Sequence, residues 1–539
     1  MSESFSTVRR VPVVIVGGGP VGLSMAILLQ RFGVEFVLVE RSAGTTDHPK
    51  ARGTYTRTME IFRQWGIDRL MARHALPDGS DFFTFGASMS GPEWGRTNPE
   101  PNAGHSPCWK LIQSQDTVEQ ELLDHARRSP VGRIHYGHEF VEYREGDAAI
   151  DVDTRDLSTG VVTTWRADYL LGCDGAASSV RRQAGIEMRG PATLAVMANE
   201  YWQADLSHVR DAHLCAGWRV HAKGSPYPIC TVLNTNGRDK WLTLLPVGRD
   251  TDERAGERTD DEVVQMARAL SGVANLDAKV INRSVWRMSR QVAARMKQGR
   301  VLLVGDAAHR FPPNGGYGMN SGIQDAHNLA WKLAFVLKGM AAARLLDSYD
   351  SERRPVAESN ADFSLHNAAR FMQMDEAMRS GNADRIHFWI RDSDNHTHSI
   401  GQSLGMVYED GAVIADGTGK HLWNPRYYEP TDRPGARFPH LWLDLTRSRT
   451  TLDWFDQHFV LVAGPQADGW VEAARQLSGR GGVTLEVQRL EQAHEKDGLW
   501  LGPRGAVLVR PDGHVAWRRP WPATDAVAEL GQALQTLLS

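Results

Sequence analysis

The sequence predicts an α/β protein of more than one domain, and three observations lead to this prediction. The chain begins with a βαβ pattern, because the apolar runs Val11–Val16 and Val34–Val39 flank a stretch with helical spacing, Gly19–Phe32. The stretch 193–286 is rich in strand-like segments and aromatic residues, and strands alternate with helices again after a polar stretch near 429–439. A chain of 539 residues usually folds as about two or three domains.

The composition is that of a globular protein, and it disfavours several classes of function. Hydrophobic residues make up 41% of the chain, charged residues make up 23%, and the formal net charge is −4. This balance argues against a basic nucleic-acid-binding protein or a cationic membrane-surface protein, so we predict no nucleic-acid or membrane partner.

The cysteines are Cys108, Cys173, Cys215 and Cys230, and they form no Cys-x-x-Cys pair and no spaced cluster with histidine. This pattern disfavours a disulfide scaffold, a dithiol redox site and a metal site. We therefore predict free thiols and a cytoplasmic location.

A glycine motif lies between the first strand and the helix of the βαβ unit. Gly17-x-Gly19-x-x-Gly22 allows a tight turn, a close backbone approach to a pyrophosphate and close packing of the helix on the strand. Glu40, at the end of the next strand, is suited to bind a ribose hydroxyl. A signal peptide or membrane span over Val11–Leu29 is disfavoured, because the glycines interrupt the apolar run and a second strand follows. The motif predicts a Rossmann-like dinucleotide-binding domain.

A second motif is the segment Leu171–Arg181, in which Asp174-Gly175 follows a predicted strand. Taken alone, this segment is a turn before a helix that serines can cap.

A third motif begins where the strand Val301–Val304 brings Asp306 to its end, because a carboxylate there can accept hydrogen bonds from a polyol chain. Pro312–Asn320 follows, with prolines that stiffen the loop and glycines that let backbone amides approach a planar ring. A helix that opens at Met319-Asn320 can stabilise negative charge on a ligand. An irregular loop ended by a capping asparagine explains Asn320 but not the rest of the motif.

In this order and at these separations, the three motifs resemble those of the class A flavoprotein monooxygenases, the single-component family of para-hydroxybenzoate hydroxylase and of the phenol, 2-hydroxybiphenyl and polyketide hydroxylases. The resemblance covers the chain to about residue 370 and implies an FAD-binding domain at 1–185 and 285–370, a mixed-sheet substrate domain at 186–284, and a linker or helical region at 371–429. Residues 430–539 resemble the thioredoxin-like C-terminal domain of the longer members. Because they lack a Cys-x-x-Cys, we expect a structural or oligomerisation role, and a homodimer remains an open alternative.

The resemblance also implies a set of FAD-binding positions. The ADP part of FAD would be bound by Gly17, Gly19, Gly22, Glu40 and Arg41, and the ribityl chain by Asp306. The isoalloxazine ring would be lined by Pro313, Gly316, Met319 and Asn320. Asp174 lies in a segment that serves both FAD and the nicotinamide cofactor, and Gln113 matches a position that often contacts FAD. His48-Pro49-Lys50-Ala51-Arg52 matches a loop in which many members have His-Pro-Arg. Lysine stands at the place of that arginine, so the residue that reaches the flavin is either Lys50 or Arg52.

The resemblance implies that NADPH or NADH reduces FAD, that O₂ adds at the flavin C4a, and that the hydroperoxide transfers oxygen to an aromatic, phenolic small molecule. A base that deprotonates the phenol would make its ring more nucleophilic, and His48 is our candidate for that base. A role for His48 in capping the turn before Pro49 explains its position equally well.

Other reactions are open to the same fold. Baeyer–Villiger oxidation, epoxidation and halogenation are alternatives, although the Trp-x-Trp-x-Ile-Pro signature of the halogenases is absent. A non-catalytic protein that binds FAD or an unstable intermediate is a more distant alternative.

Overall fold

The structure is a computed structural model that describes residues 8–222, 229–248, 258–491 and 498–539. Its strands, in chain order, are β1 (Val8–Arg10), β2 (Val13–Val16), β3 (Phe36–Glu40), β4 (Arg52–Thr54), β5 (Phe83–Gly86), β6 (Glu93–Arg96), β7 (Leu111–Ser114), β8 (Gly132–Tyr136), β9 (His138–Glu145), β10 (Ile150–Asp156), β11 (Val162–Ala167), β12 (Tyr169–Gly172), β13 (Met188–Arg189), β14 (Ala195–Gln203), β15 (Gly217–His221), β16 (Ile229–Asn234), β17 (Lys240–Gly248), β18 (Lys279–Met288), β19 (Gln291–Ala293), β20 (Lys297–Gln298), β21 (Val301–Leu303), β22 (His309–Arg310), β23 (Phe459–Ala463), β24 (Leu485–Arg489), β25 (Ala506–Val509) and β26 (Val515–Arg519).

The α-helices of the described residues are α1 (Pro20–Arg31), α2 (Thr56–Gln64), α3 (Asp68–Ala72), α4 (Gln115–Ala126), α5 (Ser179–Gln183), α6 (Asp260–Ser271), α7 (Tyr317–Leu337), α8 (Asp347–Ser380), α9 (Ala383–Thr397), α10 (Ile400–Leu404), α11 (Asp468–Leu477) and α12 (Ala526–Leu538). None of these helices is both long enough and apolar enough to cross a membrane.

A six-stranded sheet with the order β20-β21-β12-β2-β3-β8 forms the first domain. Its strands run parallel except for the edge strand β20. The predicted βαβ unit is β2, α1 and β3, and residues of β2, β12 and β21 are entirely buried. Strands that are covered on both faces need continuous apolar runs, which is the pattern that the sequence contains.

A second sheet has seven strands in the order β18-β14-β17-β16-β15-β5-β6 and is mostly antiparallel. The aromatic residues of the middle stretch fill its core, where Trp202, Trp218 and Trp241 are buried together. The predicted substrate segment 186–284 does not contain the whole sheet. Strands β5 and β6 come from the first hundred residues, and β18 continues past residue 284.

Helix α8 contains a proline in its interior, because it continues through Pro355 to Ser380. Proline removes one backbone donor and disfavours a helix interior. Here the neighbouring side chains hold the helix in place, since Glu352 binds Lys332 and Arg353 binds Asp325, all four of them buried. The predicted linker therefore starts inside α8, and it also contains α9 and α10.

The C-terminal segment forms a four-stranded sheet with the order β24-β23-β25-β26; α11 packs on this sheet, and α12 packs on α11. Its apolar core continues into the first domain, where Phe459 contacts Trp331 and Phe335 edge to face. Buried ion pairs also join it to α2 and α8, because Arg437 binds Glu60 at 2.5 Å and Arg510 binds Glu352 at 2.8 Å.

The Arg437–Glu60 pair gives a test of this junction. Burial disfavours the ionised form of Glu60, but Arg437 and Arg57 outweigh this effect and lower its pKa to about 2. Arg437→Met removes one of the two arginines that pair with the buried Glu60 carboxylate and leaves Arg57 and the Ser106 hydroxyl, so we expect a loss of roughly 3–5 kcal/mol in unfolding free energy near pH 7. The pair stabilises the fold above the ordinary pKa of Glu60, and this contribution falls as the pH drops towards 2. The gap in melting temperature between the variant and the wild type should therefore narrow in acid.

Arg63→Met is the matched control, because Arg63 makes a half-exposed pair with Asp453 across the same junction. Such a pair is worth about 0–1 kcal/mol. Equal melting temperatures for Arg437→Met and Arg63→Met at neutral pH would contradict the importance of the buried pair.

Candidate active site

One continuous cavity of about 1610 Å³ is lined by the carboxyl edge of the six-stranded sheet and by one face of the seven-stranded sheet. Gly17, Asp306 and Pro313 line it from the first domain, and Met197 and Leu244 line it from the second. A drug-sized ligand occupies a cavity of roughly 300–1,000 Å³. The volume therefore fits a large cofactor together with a second molecule.

The glycine motif has the geometry that its predicted roles require. Gly17 has a φ of +111°, and a Cβ there would lie 2.3 Å from the carbonyl oxygen of Cys173. A Cβ on Gly22 would lie 2.0 Å from the carbonyl oxygen of Gly17, so this glycine permits close packing of α1. Gly19 has open space around its Cβ position and lines the cavity at the N-terminus of α1. A phosphate placed there would meet free backbone N–H groups and the positive end of the helix.

Glu40 lines the cavity with its carboxylate held by the backbone. Its Oε2 accepts a hydrogen bond from the Gly18 N–H at 2.7 Å, and its Oε1 accepts one from the Ser42 N–H at 2.8 Å. Each oxygen retains a further lone pair, which suits it to a ribose hydroxyl. Arg41, the next residue, is exposed and also lines the cavity.

Asp306 presents a free carboxylate to the cavity. It follows β21 in a single helical turn, Gly305–Ala307, and no hydrogen bond or ion pair engages it among the residues that the structure describes. Asp306 is exposed to the cavity, and desolvation by the surrounding walls raises the pKa of its carboxyl above the ordinary value. A desolvated carboxylate without a protein partner fits the hydroxyls of a polyol chain, as the ribityl prediction requires.

Asp325 on α7 holds the loop that carries Asp306. It is buried and accepts hydrogen bonds from His309 Nε2 and Arg353 Nε, both at 2.7 Å. Burial opposes its ionisation, but Arg353 and His309 lower the pKa of Asp325. The loop is therefore fixed by a neighbouring carboxylate, and Asp306 itself is left free for a ligand.

The loop after Asp306 forms one wall of the cavity, through Pro313, Gly316 and Met319. Gly316 has a φ of +67°, and a Cβ there would lie 2.5 Å from the Tyr55 hydroxyl oxygen. That hydroxyl donates a hydrogen bond to the Gly315 carbonyl at 2.5 Å. The loop thus offers backbone and flat apolar surface to a planar ring.

Asn320 requires a correction, because it lies outside the cavity lining. It is completely buried, and its Oδ1 accepts hydrogen bonds from the Tyr55 N–H and the Thr58 hydroxyl, both at 2.8 Å. Its Nδ2 donates to the carbonyl oxygens of Gly53 and Gly316. All of its polar groups are used, so Asn320 ties the ring-facing loop to β4 and α2 and does not itself line the site.

Gln113 requires a second correction. Its side chain is buried against β4, where Nε2 donates to the Thr54 hydroxyl at 2.8 Å, and it does not line the cavity. Gln115, the first residue of α4, does line the cavity, and its Oε1 accepts a hydrogen bond from the Ala51 N–H. The two glutamines lie on opposite sides of the point where β7 becomes α4.

Asp174 lines the cavity, but its carboxylate is occupied locally. It accepts hydrogen bonds from the Ser178 hydroxyl at 2.5 Å, the Ser179 N–H at 2.7 Å and the Val180 N–H at 3.1 Å. This is the role expected of a turn before a capped helix.

Lys50 and Arg52 both line the cavity, and their contacts differ. The Lys50 side chain is exposed. Arg52 Nη1 donates to the carbonyl oxygens of Ala216 and Asn234, which lie at the ends of β15 and β16, and burial lowers its pKa to about 10. Arg52 therefore fastens its loop to the seven-stranded sheet.

His48 also reaches across to this sheet, and its side chain does not cap the turn. Its ring is buried, with Nδ1 2.5 Å from Asn282 Oδ1 and Nε2 3.0 Å from Ser284 Oγ. Asn199 Nδ2 lies 3.4 Å from the same Nε2. None of these three partners is among the site residues predicted from the sequence, although Asn282 and Ser284 are two residues apart on β18 and so lie on one face of that strand.

The polar partners of His48 begin a row of cavity-lining side chains that crosses the sheet. Paired positions on adjacent strands place Ser284 beside Asn199, then Leu244, Thr231 and Arg219. At the far end, Arg219 binds Thr231 at 2.7 Å, and it also pairs with Asp375 of α8 at 2.5 Å. Four strand spacings separate Ser284 from Arg219, which is about 19 Å.

Comparisons with known proteins agree with this geometry. Residues 10–364 match the model of an FAD-binding domain, and residues 431–539 match the model of the aromatic-ring hydroxylase C-terminal domain. A putative polyketide hydroxylase from Streptomyces halstedii is 35% identical over 560 residues, which cover 99% of this chain and 98% of the relative.

Solved structures match over the whole chain as well. The flavin-dependent monooxygenase PieE, in complex with FAD and substrate, superposes with a TM-score of 0.89 at 31% identity, covering 98% of this chain and 99% of its own. Aklavinone-11 hydroxylase, in a ternary complex with FAD and aklavinone, superposes with a TM-score of 0.84 at 30% identity, covering 100% of both chains. The resemblance that the three motifs predicted is confirmed.

The free carboxylate of Asp306 leads to a prediction for FAD binding. Asp306→Asn removes a charge-assisted acceptor worth roughly 1.5–3 kcal/mol, so we expect FAD to bind the apoprotein roughly 10- to 150-fold more weakly in a fluorescence titration. The melting temperature of the apoprotein should not fall, because no described protein group loses a partner. Asp325→Asn is the contrasting variant, since it breaks buried bonds to His309 and Arg353 and should destabilise the apoprotein itself. Unchanged FAD affinity in folded Asp306→Asn would contradict the ribityl assignment.

Proposed function

This chain belongs to the family of FAD-dependent aromatic-ring hydroxylases, and from that premise we propose that it uses NAD(P)H and O₂ to hydroxylate a phenolic ring. It is a monooxygenase with FAD as its cofactor. Bound FAD, once reduced by the nicotinamide cofactor, would supply an electrophilic oxygen atom derived from O₂. The protein contributes binding, orientation, exclusion of water and proton transfer.

The continuity of the cavity is the observation that carries this proposal. The same space runs from Glu40 and Asp306, past the loop with Pro313 and Met319, to the open face of the seven-stranded sheet. An aromatic molecule on that sheet would lie beside the ring-facing loop, as oxygen transfer from bound FAD requires. The fit of FAD rests on this chain's own residues, namely the Gly17 turn, the held Glu40 and the free Asp306 carboxylate.

The shape of the sheet face supports a polycyclic substrate. Leu244 lies between the polar groups at Ser284 and at Arg219, and Met197 and Trp286 provide apolar surface beside this row. A span of about 19 Å is much longer than a single benzene ring. We propose that the substrate is a fused-ring phenol, in keeping with relatives named polyketide hydroxylase and aklavinone 12-hydroxylase.

His48 is the proposed base for the phenolic proton. It is the histidine of the matched loop, it lines the cavity, and its side chain lies on the substrate side. Removing the proton from a phenol raises the electron density of the ring and favours attack on an electrophilic oxygen.

The remaining parts of the chain receive supporting roles. We propose that 1–185 and 285–370 bind FAD, that 186–284 contributes most of the substrate surface, and that 430–539 is a thioredoxin-like domain without redox chemistry. A parallel β23–β24 pair with antiparallel β25 and β26, packed against helices, supports the thioredoxin-like fold. Four free cysteines support a reducing, cytoplasmic location.

A substrate panel tests the proposed function. FAD-loaded protein is mixed with NADH or NADPH and with phenol, 1-naphthol or 1,8-dihydroxyanthraquinone, and NAD(P)H oxidation, O₂ uptake and product mass are followed. We expect a product heavier by one oxygen atom, and a kcat/KM that rises with the number of fused rings, because more apolar surface is buried. If phenol is the best substrate, the fused-ring proposal is wrong. If NAD(P)H oxidation yields only H₂O₂ with every ring, the hydroxylase proposal is wrong.

His48→Gln tests the base. Glutamine keeps a polar side chain but cannot take up the proton, so we expect hydroxylation to fall by roughly 10²–10⁴-fold near neutral pH while FAD binding and flavin reduction persist. Activity should recover as the pH approaches about 10, where phenols ionise unaided. Thr46→Ala is the matched control, since Thr46 holds the same turn through the His48 backbone and does not touch the ring. If both variants lose activity equally and without a change in pH profile, the His48 ring is not the base.

A further inference from the structure

We propose that Ser284 is a catalytic residue whose hydroxyl passes the phenolic proton of the substrate to His48. This inference rests on the proposed function and adds the residue that would touch the substrate. Ser284 lies on β18, lines the cavity, and holds its Oγ 3.0 Å from His48 Nε2.

The orientation of two asparagine side chains fixes which nitrogen of His48 carries a proton. Asn282 Nδ2 donates to the carbonyl oxygen of Asp47 at 3.3 Å, so its Oδ1 is the atom that faces His48 Nδ1. An amide oxygen only accepts, and Nδ1 must therefore carry the hydrogen. The Nδ1···Oδ1 distance of 2.5 Å places these two atoms in direct contact.

Asn199 confirms the assignment from the other side of the ring. The indole Nε1–H of Trp286, which can only donate, binds Asn199 Oδ1 at 3.0 Å. This contact turns the Asn199 amide so that its Nδ2–H₂ faces His48 Nε2 at 3.4 Å. Nε2 is therefore the unprotonated, accepting nitrogen, and its nearest donor is the Ser284 hydroxyl.

The direction of the Ser284 hydrogen bond follows. Its O–H donates to Nε2, which leaves the lone pairs of Oγ for a second partner. Because Ser284 lines the cavity at the end of the polar row, a phenol O–H of the bound substrate can be that partner. Of the two groups that contact Nε2, Ser284 Oγ is the nearer and also lines the cavity, so it can carry a proton from a bound phenol to His48.

The proton transfer balances without any other group. The phenol O–H bond breaks and its proton moves to Ser284 Oγ, while the original hydroxyl proton of Ser284 moves to His48 Nε2. The products are a phenolate, a neutral serine and an imidazolium whose Nδ1–H still donates to Asn282. After oxygen transfer, the same path can run in reverse and return the proton to the product.

Two variants of nearly equal shape test this path. Ser284→Thr keeps the hydroxyl, and Ser284→Val replaces it with a methyl group that also excludes a substituting water. Both are β-branched and suited to a strand, so folding should be retained, which melting temperatures will verify. We expect Ser284→Thr to hydroxylate 1,8-dihydroxyanthraquinone close to the wild-type rate. We expect Ser284→Val to be slower by about tenfold or more near neutral pH and to recover as the pH approaches about 10.

A double variant separates a relay from a packing role. If Ser284 acts through His48, Ser284→Val combined with His48→Gln should be no slower than His48→Gln alone, because both changes break one path. Ile281→Ala is the control for disturbance of β18, since that side chain is exposed and lies outside the cavity lining. It should retain the wild-type rate and pH profile.

The possible outcomes distinguish failure of the Ser284 relay from failure of the proposed hydroxylase function. A wild-type rate and pH profile in Ser284→Val, equal losses in the threonine and valine variants, or additive losses in the double variant would each overturn the relay. If the wild-type protein oxygenates none of phenol, 1-naphthol and 1,8-dihydroxyanthraquinone, the proposed function itself is wrong, independently of Ser284.

Discussion

The parallel arrangement of β2, β3, β12 and β21 is the constraint on which the site depends. Parallel strands end at the same edge of a sheet, so motifs that are far apart in the chain meet there. Gly17 follows β2, Glu40 ends β3, Asp174 follows β12 and Asp306 follows β21. Because all four strands carry apolar side chains buried on both faces, their edge offers a rigid frame for a cofactor.

Buried charges set the geometry around that frame. Asp325, Glu352 and Glu60 are each buried and each paired with an arginine. Ion pairs of this kind are weak contributors to net stability, since desolvation offsets much of the attraction, but the loss of one partner is costly. Their directional bonds fix helices and loops relative to one another. Asp306 stands out beside them as a desolvated carboxylate with no described protein partner, and a ligand can supply the missing hydrogen bonds.

The features that the sequence predicts well are those set by local chemistry. A turn with positive φ needs glycine at Gly17, and an apolar run between polar turns predicts a buried strand, so the βαβ unit and the Asp306 strand could be found without a structure. Which side of a strand end a residue occupies is harder to predict, and this explains why Gln113 was named and Gln115 was missed. The family resemblance implies that Asn320 lines the isoalloxazine ring, whereas its position in α7 turns its side chain inward to Tyr55 and Gly53.

The partners of His48 could not be predicted, because strand pairing creates them. Asn199 and Ser284 become neighbours only through the register of β14 with β18, and a single-residue slip of β18 would turn Ser284 to the other face. Pro355 shows the same limit for helices. Local chemistry favours a break there, and the buried bonds of Glu352 and Arg353 override it.

The loop 48–52 connects the six-stranded sheet, which carries the glycine motif, with the seven-stranded sheet across the cavity. His48 and Arg52 belong to the domain of the glycine motif, yet both side chains bind the seven-stranded sheet. The proposed base is therefore oriented by the same surface that would hold the substrate, and the same few residues fix the distance between that surface and the loop that contains Pro313 and Gly316. Misplacement by about 1 Å can cost roughly 100-fold in rate, so coupling the base to the substrate surface protects the alignment that oxygen transfer needs. The residues proposed to bind the cofactor lie at the edge of the six-stranded sheet, and those proposed to meet the substrate lie on the face of the seven-stranded sheet. Changes on that face can therefore alter the ring that is bound while the cofactor frame stays intact.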